Sequence, residues 1–260
     1  MARKSKLGQN FLRDPQAVDR IVAALGPLEG RTVVEIGPGQ GAITRLLAER
    51  AGHLIAVELD HALALALRVH LPSIEVAEQD VLEFDFTHAA EQAGGPLLVV
   101  GNLPYYITSP ILLRLSAHHR ALELAVVMVQ REVAERVTAS PGSRDYGVLT
   151  VTAQMYGSAQ PLFTLPPSAF SPPPEVHSTV FRWRFAPRFN ELGVDEAPFL
   201  GFVKQAFAQK RKTLANNLRA VGHESELVAS ALDGAGVAAQ ARAEALRIET
   251  LAEVWKRLSN

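Results

Sequence analysis

The chain has 260 residues, of which 48% are apolar and 20% charged, and its formal net charge is −1. That profile belongs to a soluble folded protein with room for one substantial domain and a smaller one, and it excludes a disordered or fibrous chain. No apolar run is long enough to cross a bilayer, and the basic start MARKSKLGQN lacks the apolar core of a secretory signal. With no cysteine there is neither a disulfide framework nor a thiolate or zinc–cysteine site, so a cytoplasmic protein without a metal centre is expected.

In chain order, RTVVEI (31–36), HLIAVEL (53–59), SIEVAEQ (73–79), PLLVVG (96–101) and LELAVVMV (122–129) read as strands rich in Val, Ile and Leu. GAITRLLAERA and HALALALRVHL, lying between them, have helical spacing. Strands alternating with helices at this interval predict a doubly wound α/β sheet, parallel over most of its width. LTVTAQMYG (149–157) and HSTVFRWRF (177–185) read as further strands that close the sheet with an antiparallel pair. FTLPPSAFSPPPEV between them holds five prolines in fourteen residues and must be a largely extended loop. Beyond it the pattern predicts helices only, over 198–221, 224–235 and 247–258. The boundary is therefore placed near residue 187, with an α/β domain over 1–187 and a small all-helical domain over 188–260.

Two segments carry the chemistry. VVEIGPGQGAITRLL places Glu35, Gly37, Gly39 and Gly41 between the first long strand and a helix, where glycines let backbone approach a ligand. Glu58 ends the next strand, where a carboxylate can accept both hydroxyls of a ribose. Asp80 ends the strand after that and could bind an adenine amino group. A nicotinamide enzyme is the rival reading. Its G-x-G-x-x-G fingerprint fails here, since Ala42 stands at the last position, and E-x-G-x-G-x-G is the form used for S-adenosylmethionine.

The second segment is GNLPYY (101–106), at the exit of a buried strand. An adenine amino group is a poor nucleophile because its lone pair is delocalised into the ring. The Asn102 side-chain carbonyl can hold one of its hydrogens. Leu103, forced extended by the following proline, can aim its carbonyl at the other. Pro104 stiffens the turn so that these acceptors are preorganised, and Tyr105 can stack on a base that has left its own stack. The plain alternative is a proline-terminated strand with two ordinary core tyrosines.

Taken together, GQNFLRD (8–14), VVEIGPGQGAIT, VELD, QDVLEFDF, GNLPYYITSPIL, VQREVAERV, YGVLTV, FSPPPEVHSTV and KRKTLANNL closely resemble, nearly end to end and in order, the small-subunit (16S) ribosomal RNA adenine dimethyltransferases of the KsgA type. The resemblance implies a Rossmann-like S-adenosylmethionine-dependent methyltransferase fold. It implies dimethylation of two adjacent adenosines in a hairpin near the 3′ end of small-subunit rRNA, with a role in subunit biogenesis. It also implies cofactor contacts at Asn10, Leu12, Gly37, Glu58, Asp80 and Asn102, and makes Phe170 a second aromatic wall opposite Tyr105. On the residues alone, Asn10 and Leu12 read as the approach to a helix capped by Asp14, and Phe170 as a hydrophobic loop anchor. Many relatives carry an aromatic residue where this chain has Leu7.

The run 204–219 holds Lys204, Lys210, Arg211, Lys212 and Arg219 without a single acid, and the first thirteen residues add Arg3, Lys4, Lys6 and Arg13. Such a run often marks a solvated helical face; here it reads as an RNA-binding helix. The expected partner is 16S rRNA in the small ribosomal subunit or its precursor. No membrane contact is expected, and no feature points away from a monomer. The alternatives are a large-subunit (23S) rRNA adenine methyltransferase, against which FSPPPEVHS and KRKT speak, and an assembly factor acting mainly by binding.

Overall fold

Strands apolar on both faces are stable only inside a sheet covered on both sides. The computed structural model, which describes residues 9–259, has that arrangement. Its strands are β1 (Phe11–Leu12), β2 (Thr32–Ile36), β3 (His53–Glu58), β4 (Glu75–Glu78), β5 (Leu97–Asn102), β6 (Leu122–Gln130), β7 (Gly157–Leu165), β8 (Phe170–Ser171) and β9 (Ser178–Phe185). Seven form one sheet in the order β4-β3-β2-β5-β6-β9-β7, while β1 pairs with β8 apart from it. Neighbours from β4 to β6 are parallel, and β9 runs antiparallel to β6. This is the doubly wound α/β sheet expected from the sequence. Arg3, Lys4, Lys6 and Leu7 lie outside the described residues.

Helix Pro15–Ala24 starts where Asp14 accepts the N–H groups of Gln16 (3.0 Å) and Ala17 (3.2 Å), with proline in the first turn. Its Ile21 and Val22 pack with Leu47, Leu98, Val126 and Met128 in one buried cluster beneath the sheet. Asp60 caps helix His61–His70 in the same way.

The chain divides into two compact units. One takes the sequence up to Ala134 together with Ser158–Phe185; the other takes Glu135–Gly157 and the chain from Ala186 onward. A boundary near 187 keeps 135–157 in the first domain, so this segment is a correction. Its cause is visible in 149–157, which reads as a strand but folds as helix Val148–Tyr156. Thr150 Oγ1 accepts the Gly147 N–H at 3.0 Å and bonds the Arg136 carbonyl at 2.5 Å. Thr150, Val151, Thr152, Ala153, Met155 and Tyr156 are all buried, and burial on every side overrides the β-propensity of the Val and Thr residues. The last strand before the proline loop is instead β7, at the sheet edge, the position in a sheet where a proline such as Pro161 is tolerated.

The second unit contains helices Glu196–Ala206, Leu214–Ala220, Ser225–Gly234 and Ile248–Ser259, packed around Phe199, Phe202, Leu218, Leu232 and Leu251. The single helix expected over 198–221 is broken. Asn217, 2% exposed, donates its Nδ2 to the carbonyls of Ala206 (2.8 Å) and Gln209 (3.2 Å), tying off the first helix. Thr213 caps the next by accepting the Asn216 N–H. The residues Lys210, Arg211 and Lys212 therefore sit on a turn rather than along a helix.

Candidate active site

Strand order reverses at β2, which is flanked by β3 and β5, and doubly wound sheets bind ligands at the carboxyl ends of strands beside such a reversal. A cleft of about 1040 Å³, solvent at its mouth included, opens there within the first unit. The glycine loop after β2 lines it, as do the ends of β3, β4 and β5 and the arm 9–12.

The loop is shaped for close approach. Gly37, Gly39 and Gly41 all have φ between 57° and 79°, the left-handed region that favours glycine. At Gly39 a second reason applies, because a Cβ would come within 2.9 Å of the Phe11 ring. The Gly39 N–H donates to Glu58 Oε2 at 3.0 Å, while the other Glu58 oxygen accepts the Asp60 N–H at 2.9 Å. Glu58 is thus a strut for the loop as well as a cleft wall, and each oxygen keeps a lone pair for a hydroxyl. Burial pushes its carboxyl above the usual range. Asp80 anchors the turn after β4 through the Leu82 N–H and faces the cleft.

Glu35 lies on β2 beneath the loop, 2% exposed, and its Oε2 has no hydrogen-bond partner. Burial pushes its carboxyl up to about 8; the Thr44 hydroxyl opposes the shift in part, and the neighbouring Glu58 charge adds to it. Glu35, held protonated at neutral pH by burial, joins Glu58 and Asp80 as the acidic residues of the cleft wall, which holds no Lys, Arg or His among the described residues. Such a lining attracts a cation and repels a pyrophosphate.

Asn102 ends β5 with its amide at the cleft. Its Nδ2 donates to the Asn10 backbone carbonyl at 2.8 Å, so the amide nitrogen is engaged and Oδ1 is the atom left to accept. Leu103, Pro104 and Tyr105 continue the wall. The Pro104 carbonyl accepts the Ile107 N–H (3.2 Å) and the Thr108 hydroxyl (3.0 Å), closing the turn into helix Thr108–Ala117. Tyr105 is half-buried, and its phenol meets Ser178 Oγ at 2.5 Å. Next to it Tyr106 is 59% exposed at the cleft wall.

Asn10 and Leu12 both reach the cleft, and the arm bearing them is anchored at several points. Leu12 pairs with Phe170 across β1 and β8, the Arg13 N–H donates to the Ala169 carbonyl, and the Arg13 guanidinium reaches Gln40 Oε1 at 2.7 Å. Phe170 is the correction here. It is 4% exposed, packs in the cluster beneath the sheet with Leu12 and Leu165, and is not part of the cleft wall. An aromatic ring opposite Leu12 in a strand pair covering that cluster gains more by burial than by standing in solvent. Phe170 is an anchor in this conformation, as the residues alone indicate. Sequence reasoning misses Phe11, the lid on Gly39, although it sits inside GQNFLRD.

In the second unit, Lys204, Lys210, Arg211, Lys212 and Arg219 are all exposed, and none forms an ion pair among the described residues. Lys210 Nζ donates to the Arg144 carbonyl at 3.0 Å, which holds one side of the turn.

The sequence profile of ribosomal RNA adenine dimethylase matches residues 1–260. The chain belongs to the ribosomal RNA adenine dimethylase family. A family relative from Acidobacterium capsulatum, named ribosomal RNA small subunit methyltransferase A, is 58% identical over 260 residues, covering 99% of this chain and 92% of its own. One of the same name from Koribacter versatilis is 48% identical over 271 residues, covering 99% and 95%. Among solved structures, a dimethyladenosine transferase from Plasmodium falciparum shares the fold, with a TM-score of 0.81 at 21% identity over 94% of this chain and 95% of that one. The 23S rRNA methyltransferase ErmE superposes with a TM-score of 0.74 at 29% identity, covering 96% and 100%.

Proposed function

We propose that this chain is an S-adenosylmethionine-dependent rRNA adenine dimethyltransferase. On this reading it modifies the amino groups of two adjacent adenosines in a hairpin near the 3′ end of small-subunit rRNA. The observation that carries the proposal is the fixed Asn102 amide at the cleft wall: with Nδ2 taken by the Asn10 carbonyl, Oδ1 is the amide atom left to act as a preorganised acceptor. The 58% and 48% identical relatives, both named for the small subunit, favour that substrate over the large subunit.

S-adenosylmethionine supplies an electrophilic methyl group on a sulfonium. The acids Glu58 and Asp80, with no cation on the cleft wall beside them, suit that charge, and Gly37, Glu58, Asp80, Asn10 and Leu12 would hold the donor. Asn102 Oδ1 accepts one hydrogen of the target amine and the Leu103 carbonyl the other, drawing the nitrogen out of conjugation toward a tetrahedral shape. Pro104 fixes the bend that sets both acceptors, and Tyr105 offers its ring to the extruded base. No strong general base is needed, since the amine proton becomes acidic only after methylation and leaves to water. Lys204, Lys210, Arg211, Lys212 and Arg219 are the proposed phosphate contacts. A single chain carries both the cleft and the basic turn, which supports a monomer as the working unit. The ribosomal substrate supports a cytoplasmic setting. Among the described residues no helix is long and apolar enough to cross a membrane.

The deciding experiment is transfer of tritiated methyl groups to unmethylated small and large subunits, followed by nucleoside analysis. Dimethyladenosine in small-subunit RNA is expected. Label confined to large subunits would overturn the assignment.

A further inference from the structure

Tyr105 stands on a turn whose backbone is fixed by the two bonds to the Pro104 carbonyl, yet its ring could still rotate about two side-chain torsions. One contact holds its far end. The phenol oxygen lies 2.5 Å from Ser178 Oγ, and either group can be the donor. Ser178 is fully buried. It is the first residue of β9, opposite Gln130 at the end of β6, and the Arg131 N–H bonds the neighbouring His177 carbonyl at 3.0 Å. The hydroxyl is therefore mounted on the sheet itself, whereas Tyr105 follows the end of β5. Burial also raises the phenol's pKa, so it keeps its proton and can donate across the working pH range.

We infer that Ser178 is the positioning residue for Tyr105: its buried hydroxyl pins the phenol and so sets the plane of the ring presented to the target base. This rests on the reading that Tyr105 stacks on the extruded adenine. A hydroxyl at the start of β9 would then act on methyl transfer without touching substrate or donor. A ring free to swing would have to be ordered anew in each binding event, which weakens stacking without altering the donor pocket.

The test uses the full chain and unmethylated small subunits, with Ser178→Ala, Tyr105→Phe, the double variant and Tyr105→Ala. Each single variant that breaks the bond should lose about threefold to tenfold in kcat/KM, the kinetic equivalent of one hydrogen bond. The double variant should be no worse than either single, because both remove the same interaction. Affinity for S-adenosylmethionine should not change. In RNA with 2-aminopurine at the target position, Ser178→Ala should weaken the stacking quench of its emission. Losses that add in the double variant, or a Ser178→Ala enzyme equal to wild type beside an impaired Tyr105→Ala, overturn the inference alone. Wild-type turnover by Tyr105→Ala overturns the stacking reading and the inference with it. If Ser178→Ala fails to fold, Tyr105→Phe still decides, since undiminished activity there means the bond positions nothing.

Discussion

Asn102 and Asn10 are joined by one hydrogen bond, from the side-chain nitrogen to a backbone oxygen 2.8 Å away, across 92 positions of sequence. The bond does two things. It leaves Oδ1 as the amide atom able to accept at the cleft wall, and it ties the arm that covers the glycine loop to the turn proposed to bind the amine.

Asn102→Ala should cut methyl transfer by about a hundredfold or more, the scale seen when one preorganised polar group is removed from a reacting centre. Co-sedimentation with small subunits should persist, because the basic turn is untouched. Loss of subunit binding in parallel with activity would mean that the residue serves binding rather than chemistry. Persistence of both would remove Asn102 from the mechanism. An enzyme that binds but cannot methylate also separates the catalytic role from any role in assembly.

Gly39→Ala should weaken S-adenosylmethionine binding and lower stability by about 1–2 kcal/mol, the cost of a left-handed residue that carries a Cβ. The new methyl would press on the Phe11 ring at 2.9 Å, so the arm must move or the loop must open. Calorimetric titration with the donor and a denaturant midpoint check the two effects. Unchanged values for both would show that the arm does not cover the loop in solution.

Glu35 makes stability depend on pH in a defined direction. Its folded pKa of about 8 lies above the usual 4.5, so between these values the folded chain holds a proton that the unfolded chain has released. Stability therefore falls as pH rises through that window, by an amount on the order of a few kcal/mol. Glu35→Gln keeps the shape and cannot ionise. Its advantage over wild type should grow from pH 5 to pH 8.5 in urea unfolding, and parallel pH profiles for the two proteins would contradict the buried carboxyl.

Replacing Lys210, Arg211 and Lys212 together by Ala should weaken RNA binding and flatten its salt dependence. Every phosphate left without its cation lowers the log–log slope by about 0.7–0.9. Donor affinity should stay put, because the cleft and the turn belong to different compact units. Equal losses for RNA and donor would indicate a folding defect instead of a weakened RNA-binding surface.

Unlike β1, β7 and β8, the strands β2 to β6 and β9, the glycine loop, the acids at the ends of β3 and β4 and the bend at Asn102 are all legible in the sequence. Each is written in local terms: apolar runs bounded by turns, glycines where φ turns positive, a proline that forces its neighbour extended. Even the break in 198–221 has a local sign, Thr213 standing as a cap before the apolar Leu214. Other features need partners distant in the chain. Whether 149–157 becomes strand or helix is decided by burial on every side. Phe170 goes beneath the sheet because Leu12 pairs with it. The orientation of the Asn102 amide and the plane of the Tyr105 ring depend on Asn10 and Ser178, and no pattern within one segment can specify a bond to another.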